Sequence, residues 1–180
     1  MRVAPDESFV AVANNGAGTV DLVDLPLEED GADGAGGTRS VDVGAEPVQV
    51  AISPDSRTVF VAVAGSRSIV RVDVATAEVT GKVEVDAAPA QVWATGTGQV
   101  LSANQGTDDD PGSTLSVIDA DTMRIVADVP TGQGPHGIVV TEDDARTPLL
   151  MPAPYASAAG GHDHDDHGHG HDGDGSDHDH

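Results

Sequence analysis

Apolar and polar residues alternate with a period of two through most of the chain before residue 141, in short Val-rich runs bounded by Gly, Asn and Asp. Such alternation puts successive side chains on opposite faces of a strand, and no stripe of helical period breaks it. Three runs begin alike: Phe9-Val10-Ala11-Val12-Ala13-Asn14, Phe60-Val61-Ala62-Val63-Ala64-Gly65 and Val100-Leu101-Ser102-Ala103-Asn104. A turn follows each, then a second run ending in Asp, over Thr19 to Asp24, Ser68 to Asp73 and Thr114 to Asp119. Third runs cover Ser40 to Val43, Glu78 to Val85 and Arg124 to Val129. Fourth runs open at a proline, at Pro47-Val48-Gln49-Val50, Pro89-Ala90-Gln91-Val92 and Pro135-His136-Gly137-Ile138. The pattern predicts twelve strands in three units of four.

A unit of roughly forty residues, repeated with a longer Leu25 to Gly37 insertion in the first copy and a Thr107 to Gly112 insertion in the third, has the period of a propeller blade. Four short antiparallel strands cannot bury an apolar face alone, so each unit must stack on its neighbours. The expected fold class is all-β, a partial β-propeller of about three four-stranded antiparallel blades with a disordered C-terminal tail. Expected boundaries are 1–147 for the repeats, 148–161 for a Pro/Ala/Gly linker and 162–180 for the tail. Propellers close with four to eight blades, so about three would leave open edges that invite pairing in an oligomer, or mark a fragment.

The units resemble YVTN-family propeller repeats over roughly residues 3 to 141. The matching residues are Ser53-Pro54-Asp55, Phe9 to Asn14, Ser116-Val117-Ile118-Asp119 and Gly134-Pro135-His136-Gly137. The sequence departs from that pattern at Gly65, where Asn is expected, and at Gly96-Thr97-Gly98, where Pro-Asp is expected. A fourth unit starting at Thr141-Glu142-Asp143-Asp144 would be stopped by Pro148, Pro152 and Pro154, each of which removes a ladder donor. The resemblance implies a propeller and an extracytoplasmic, periplasmic or secreted setting. The start, Met1 to Asp6, shows no apolar signal-peptide core.

Composition narrows the function. Aromatics are 2% of the chain, so the core must be built from Val, Ala, Ile and Leu. With 31 acidic against 8 basic residues and a formal charge of −23, nucleic acid is not an expected partner, because phosphate binding requires Lys and Arg. The charge suits cation binding, and also solubility in high salt; the stretch through Gly160 alone holds 24 acidic against 8 basic residues. No run approaches the length of a membrane span. Without cysteine, a metal site is confined to imidazole and carboxylate.

The tail supplies both. It reads HDHDDHGHGHDGDGSDHDH, placing His162, His164, His167, His169, His171, His178 and His180 among Asp163, Asp165, Asp166 and later aspartates. Imidazole nitrogen and carboxylate oxygen suit Zn²⁺ first, and also Ni²⁺, Cu²⁺ or Co²⁺, while glycines let several ligands converge. The bland alternative is a solvating acidic tail. His136, the one histidine outside the tail, is expected to serve a turn. Asp108-Asp109-Asp110 lacks the spacing of a calcium loop, and Gly16-Ala17-Gly18 reads as a hairpin turn rather than a phosphate cradle.

No nucleophile elbow, cysteine or Ser/His/acid cluster stands out, so the chain is expected not to be an enzyme. The expected function is a binding protein whose propeller is a platform and whose tail takes zinc for sequestration or delivery, with a metal transporter as partner. In outline it resembles periplasmic zinc metallochaperones that join a propeller to a His-rich segment. The alternatives are a YVTN-type surface or secreted interaction protein, and a remnant of a lactonase-like propeller enzyme.

Overall fold

The computed structural model of the chain describes residues 1–25 and 37–140. Within them lie twelve strands: β1 (Arg2–Val3), β2 (Phe9–Asn14), β3 (Thr19–Asp24), β4 (Thr38–Asp42), β5 (Pro47–Ile52), β6 (Thr58–Val63), β7 (Ser68–Asp73), β8 (Glu78–Glu84), β9 (Pro89–Ala94), β10 (Gln99–Gly106), β11 (Pro111–Asp119) and β12 (Arg124–Pro130). They form three four-stranded sheets, β1-β2-β3-β4, β5-β6-β7-β8 and β9-β10-β11-β12. Every pairing is antiparallel. The chain divides into the units Met1–Thr141 and Glu142–His180. The second unit, the expected linker and tail, and residues 26–36 of the first insertion lie outside the described residues.

The number of strands agrees with the sequence pattern, but the grouping shifts by one strand. The proline-led segments open sheets instead of closing them: β5 pairs forward with β6, through Val50↔Val61 and Ile52↔Val59. Arg2–Val3, absent from the expected set, is the first strand, whereas Pro135–Ile138, expected as the twelfth, lies in no strand. The physical reason is that a repeat has the same period wherever it is cut, so periodicity fixes the unit and not which neighbours pair. Proline also suits the first position of a strand, where its missing N–H costs nothing.

The second sequence repeat is also displaced by two residues from its expected alignment. Phe9, Thr58 and Gln99 occupy equivalent places, each opposite the Asp that ends the third strand, at Asp24, Asp73 and Asp119. The residue at the place of Asn14 and Asn104 is therefore Val63, not Gly65. A slip of two keeps every side chain on its own face, so alternation could not detect it. Gly65 has its own cause: it sits in the 3-10 turn Ala64–Ser66, where an added Cβ would lie 2.7 Å from the Ala45 carbonyl oxygen.

The core lies between sheets. Phe9, Ala11, Val20 and Leu22 of the first sheet pack against Val59, Val61, Val63, Val70 and Val72 of the second. The opposite face of the second sheet, with Ala51, Phe60, Ala62 and Ile69, packs against Val92, Val100 and Ile118 of the third. Each fully buried Val, Leu, Ile or Phe contributes roughly 1.5–3 kcal/mol, so a core without many rings is sufficient. Arginine donors cross both interfaces. Arg39 Nη1 donates to the Val74 carbonyl, and Arg71 Nη1 donates to the Ala120 carbonyl at 2.9 Å. Val74 and Ala120 each follow the Asp that ends the third strand of their sheet, so the acceptors are equivalent, although Arg39 lies on the fourth strand of its sheet and Arg71 on the third.

The face that the third sheet presents to the second is partly polar. Ser102, Asn104 and Ser116 are fully buried, where the second sheet carries Val61, Val63 and Val70. Ser102 Oγ donates to Asn104 Oδ1 at 2.8 Å, and Asn104 Nδ2 donates to Thr114 Oγ1 and Ser116 Oγ, both at 2.8 Å. The chain ends at solvated carboxylates: Thr114 Oγ1 donates to Asp86 at 2.7 Å and Ser116 Oγ to Asp128 at 2.6 Å. Every buried hydroxyl and amide in the cluster thus has a partner, as burial of polar groups requires.

Candidate functional site

The inner strands of the second and third sheets, β5 and β9, each begin Pro-x-Gln, and the two glutamines act alike. Gln49 Oε1 accepts from the Val92 backbone N–H at 2.6 Å, and Gln91 Oε1 accepts from the Ile138 backbone N–H. Each glutamine thereby fastens its own inner strand to the next proline-led segment. Residues 135–138 are held to β9 as β9 is held to β5, although they form no ladder of their own.

At this end of the inner strands lies a pocket of about 480 Å³, lined by Gln49, Gln91, Gln105 and His136 and floored by Ala64, Ala88, Pro89 and Ala90. His136 Nδ1 lies 3.2 Å from Gln105 Oε1. Among the described residues nothing accepts from the side-chain nitrogens of Gln49 or Gln91, so both remain available as donors. Val48 at the rim is 42% exposed. The pocket is a neutral, amide-lined cleft with one imidazole and no carboxylate among its lining residues. Its chemistry is hydrogen bonding to a neutral polar group beside a small apolar surface.

His136 is exposed in the irregular segment after β12; the chain bends at residues 132–134, before it, so the expected turn does not include His136. The hairpin role of Gly16 to Gly18 is present, with the Ala17 and Gly18 N–H groups donating to the Asn14 carbonyl at 3.1 and 3.0 Å. Asp108 to Asp110 are exposed, and Asp110 Oδ2 meets Arg67 Nη2 at 3.3 Å. Among the described residues, no three of His, Asp and Glu come together in a way that could hold a metal ion. All ten expected metal ligands, His162, His164, His167, His169, His171, His178, His180, Asp163, Asp165 and Asp166, lie outside the described residues. The sequence reading missed the pocket glutamines. The repeated Pro-x-Gln at Pro47 and Pro89 was a signal for two of them, and Gln105 had none.

Among the described residues four carboxyls are shifted, all downward and all beside turns. The Ser8 hydroxyl holds Asp6 low, the Ser53 hydroxyl holds Asp55, the Thr76 N–H holds Asp73, and the Thr122 hydroxyl holds Asp119. Each is an aspartate fastening a neighbouring turn by accepting its hydrogen bonds. None lines the pocket.

No family model matches the chain, and no curated protein sequence matches it. Solved structures do. The fold is similar to that of Kuenenia stuttgartiensis hydrazine synthase, with a TM-score of 0.65 and 21% identity over 74% of this chain and 35% of that one. It is similar to the RRP9 WD40 repeats at a TM-score of 0.60 and 15% identity, over 74% of this chain and 38% of that one. Apo AztD from Citrobacter koseri gives a TM-score of 0.53 and 18% identity, over 71% of this chain and 33% of that one. The chain thus spans between 33% and 38% of these proteins' lengths. At such identities the likeness shows the fold alone, and the three sheets are blades of a β-propeller.

Proposed function

We propose that this is a non-enzymatic binding protein in which the propeller blades are a platform and the His162 to His180 segment captures a divalent transition metal, zinc foremost, for sequestration or delivery. The observation that carries the reading is the donor set itself, seven histidines within nineteen residues interleaved with aspartates, in a chain that has only one histidine elsewhere. Neutral imidazole and carboxylate are good zinc ligands, and glycines between them let three or four converge. Such a segment binds in several exchanging modes, which suits holding and handing over an ion better than activating water on it.

The test is a calorimetric zinc titration in high salt at about pH 7.5 and about pH 5.5, on the intact chain and on one ending at Gly161. The expected result is sub-micromolar binding by the intact chain at the higher pH, weakened at the lower pH as imidazoles protonate, and absent from the shortened chain. Equal binding by both chains would overturn the reading.

The amide-lined pocket favours a second role for the blades, as a docking place for an extended segment of a protein partner such as a metal transporter. Free side-chain N–H donors beside exposed Val48 suit a peptide carbonyl flanked by a small apolar side chain. Gln105→Ala with Gln49→Leu should weaken capture of such a partner while zinc affinity is unchanged. Loss of both together would contradict a division of labour between platform and tail.

A further inference from the structure

At the far end of their second strands the three blades carry Asn15-Gly16, Ala64-Gly65 and Gln105-Gly106. Each pair ends in glycine, but only the first sets a side-chain carbonyl at the distance from the next backbone nitrogen that closes a succinimide ring. Ala64 has no such carbonyl, and Gln105 holds its own a methylene further off. The Gly106 N–H is moreover tied to the Ala88 carbonyl at 2.9 Å. The Gly16 nitrogen is open by comparison. Residues Asn15, Gly16 and Ala17 are exposed, and the turn closes through the Ala17 and Gly18 N–H groups on the Asn14 carbonyl. Among the described residues the Gly16 N–H has no acceptor, and an added Cβ there meets nothing within 4 Å.

The remaining asparagines differ on each count. Asn14 precedes another asparagine, and its Nδ2 donates to Thr19 Oγ1 at 3.2 Å. Asn104 is 0% exposed, with its Nδ2 on the Thr114 and Ser116 hydroxyls.

The Asn15 turn is also a joint. The Val43 N–H donates to the Gly18 carbonyl at 3.0 Å, and Gly18, at a φ of +73°, lies so close to Gly44 that an added Cβ would be 3.0 Å from the Gly44 carbonyl oxygen. Asn15 Nδ2 donates to the Pro47 carbonyl at 3.4 Å. The turn is thereby held to residues 43–47, where the chain passes from the first blade into the second.

We propose that Asn15-Gly16 is a self-modifying site, which converts its asparagine to isoaspartate and aspartate and so loosens the joint between the first two blades. The Gly16 nitrogen gives up its proton and attacks Asn15 Cγ; a C–N bond forms there, the Cγ–Nδ2 bond breaks, and Nδ2 leaves with a proton as ammonia. Holding nucleophile and carbonyl in one short ring is what makes the step accessible without a catalyst. Water then opens the imide. Attack at Cγ returns the Gly16 peptide bond and leaves aspartate, whereas attack at the main-chain carbonyl leaves isoaspartate. The sum is hydrolysis of one side-chain amide, with water the sole co-reactant. The nitrogen that leaves is the one that donates to Pro47, so modification and loss of that tie are a single event. Aspartate sets a carboxylate oxygen against the Pro47 carbonyl, acceptor facing acceptor. Isoaspartate adds a methylene to the main chain inside the turn closed on Asn14. The inference is independent of metal capture by the tail and of the number of blades.

The test is slow incubation of the full chain, folded in high salt at neutral pH, followed by peptide mapping. The peptide carrying residue 15 should gain the mass and negative charge of an amide-to-acid exchange with first-order kinetics, and become a substrate for an isoaspartyl carboxyl methyltransferase. Asn104 should stay an amide over the same time. Gly16→Ala fits the open space at a backbone angle that does not call for glycine, and should slow conversion several-fold; Asn15→Gln should abolish it. In the converted chain the Val43 amide should exchange its hydrogen faster than in the fresh chain. Three results would overturn the proposal. Residue 15 could remain an amide in the folded chain, whether or not the urea-unfolded chain converts. Conversion could proceed undiminished in Gly16→Ala. Or Val43 could exchange alike in fresh and converted chains, so that the turn is no joint.

Discussion

The interface between the first and second blades and that between the second and third share a backbone plan and differ in chemistry. The first is closed by valines, with Val61, Val63 and Val70 meeting the Ala11 and Leu22 face. At the second, those three places hold Ser102, Asn104 and Ser116, tied into one hydrogen-bonded chain that reaches Asp86 and Asp128. The first interface is held mainly by burial, with the Arg39 bond to the Val74 carbonyl at its margin. The second interface keeps an apolar cluster that includes Phe60, Ile69, Val92, Val100 and Ile118, and beside it polar groups that satisfy one another. Truncating an apolar residue at either contact loses that residue's own burial, whereas truncating one polar residue also strands its partners.

The largest effect should come from the valine side. Leu22→Ala leaves a cavity at a position that is 0% exposed, and should cost about 2–5 kcal/mol in denaturant melts. On the polar side, Asn104→Ala removes partners from Ser102 and two hydroxyls at once, and should cost about 2–3 kcal/mol. Replacing Ser102, Asn104 and Ser116 all by Val, as in the second blade, should be far less costly than Asn104→Ala alone. If the triple variant instead sums three separate losses, the cluster is not a unit.

A smaller gain is expected at Trp93, whose indole N–H is buried with no acceptor among the described residues while Arg2 lies 4.8 Å from its ring centroid. Trp93→Phe removes the orphan donor and should raise the melting midpoint by the equivalent of about 1 kcal/mol or less. The smallest effect belongs to the partly exposed aspartates that end β7 and β11. Hydrogen bonds from Thr76 and Thr122 hold the folded pKa of Asp73 and of Asp119 below the ordinary aspartate value, so their stabilisation is present above that value and is lost as pH falls through the folded one. Asp119→Asn should flatten the acid limb of the stability profile and leave its neutral plateau nearly unchanged.

How much of this could be read in advance follows from what a linear pattern encodes. Alternation and the recurring Asp at 24, 73 and 119 located the strands, because they mark faces and ends that each strand needs locally. The grouping into sheets was offset because pairing of β5 with β6 rather than β4 is a non-local choice. The misplacement of Gly65 came from matching Phe9 with Phe60 by residue type, when strand register matches Phe9 with Thr58. The inter-blade glutamines were visible only as a repeated Pro-x-Gln whose meaning depends on the next blade. Gln105 and the Asn104 cluster became legible only once β10 and β11 were laid side by side.

The account separates a platform that carries His136 from a tail that carries the other seven histidines. A zinc titration of the intact chain, followed by imidazole resonances in NMR at neutral pH and high salt, tests that separation directly. The account predicts that the seven tail imidazoles shift or broaden at the first equivalents of zinc while His136 stays where it was. Early movement of His136, with the tail resonances unchanged, would contradict it and place metal binding on the blades.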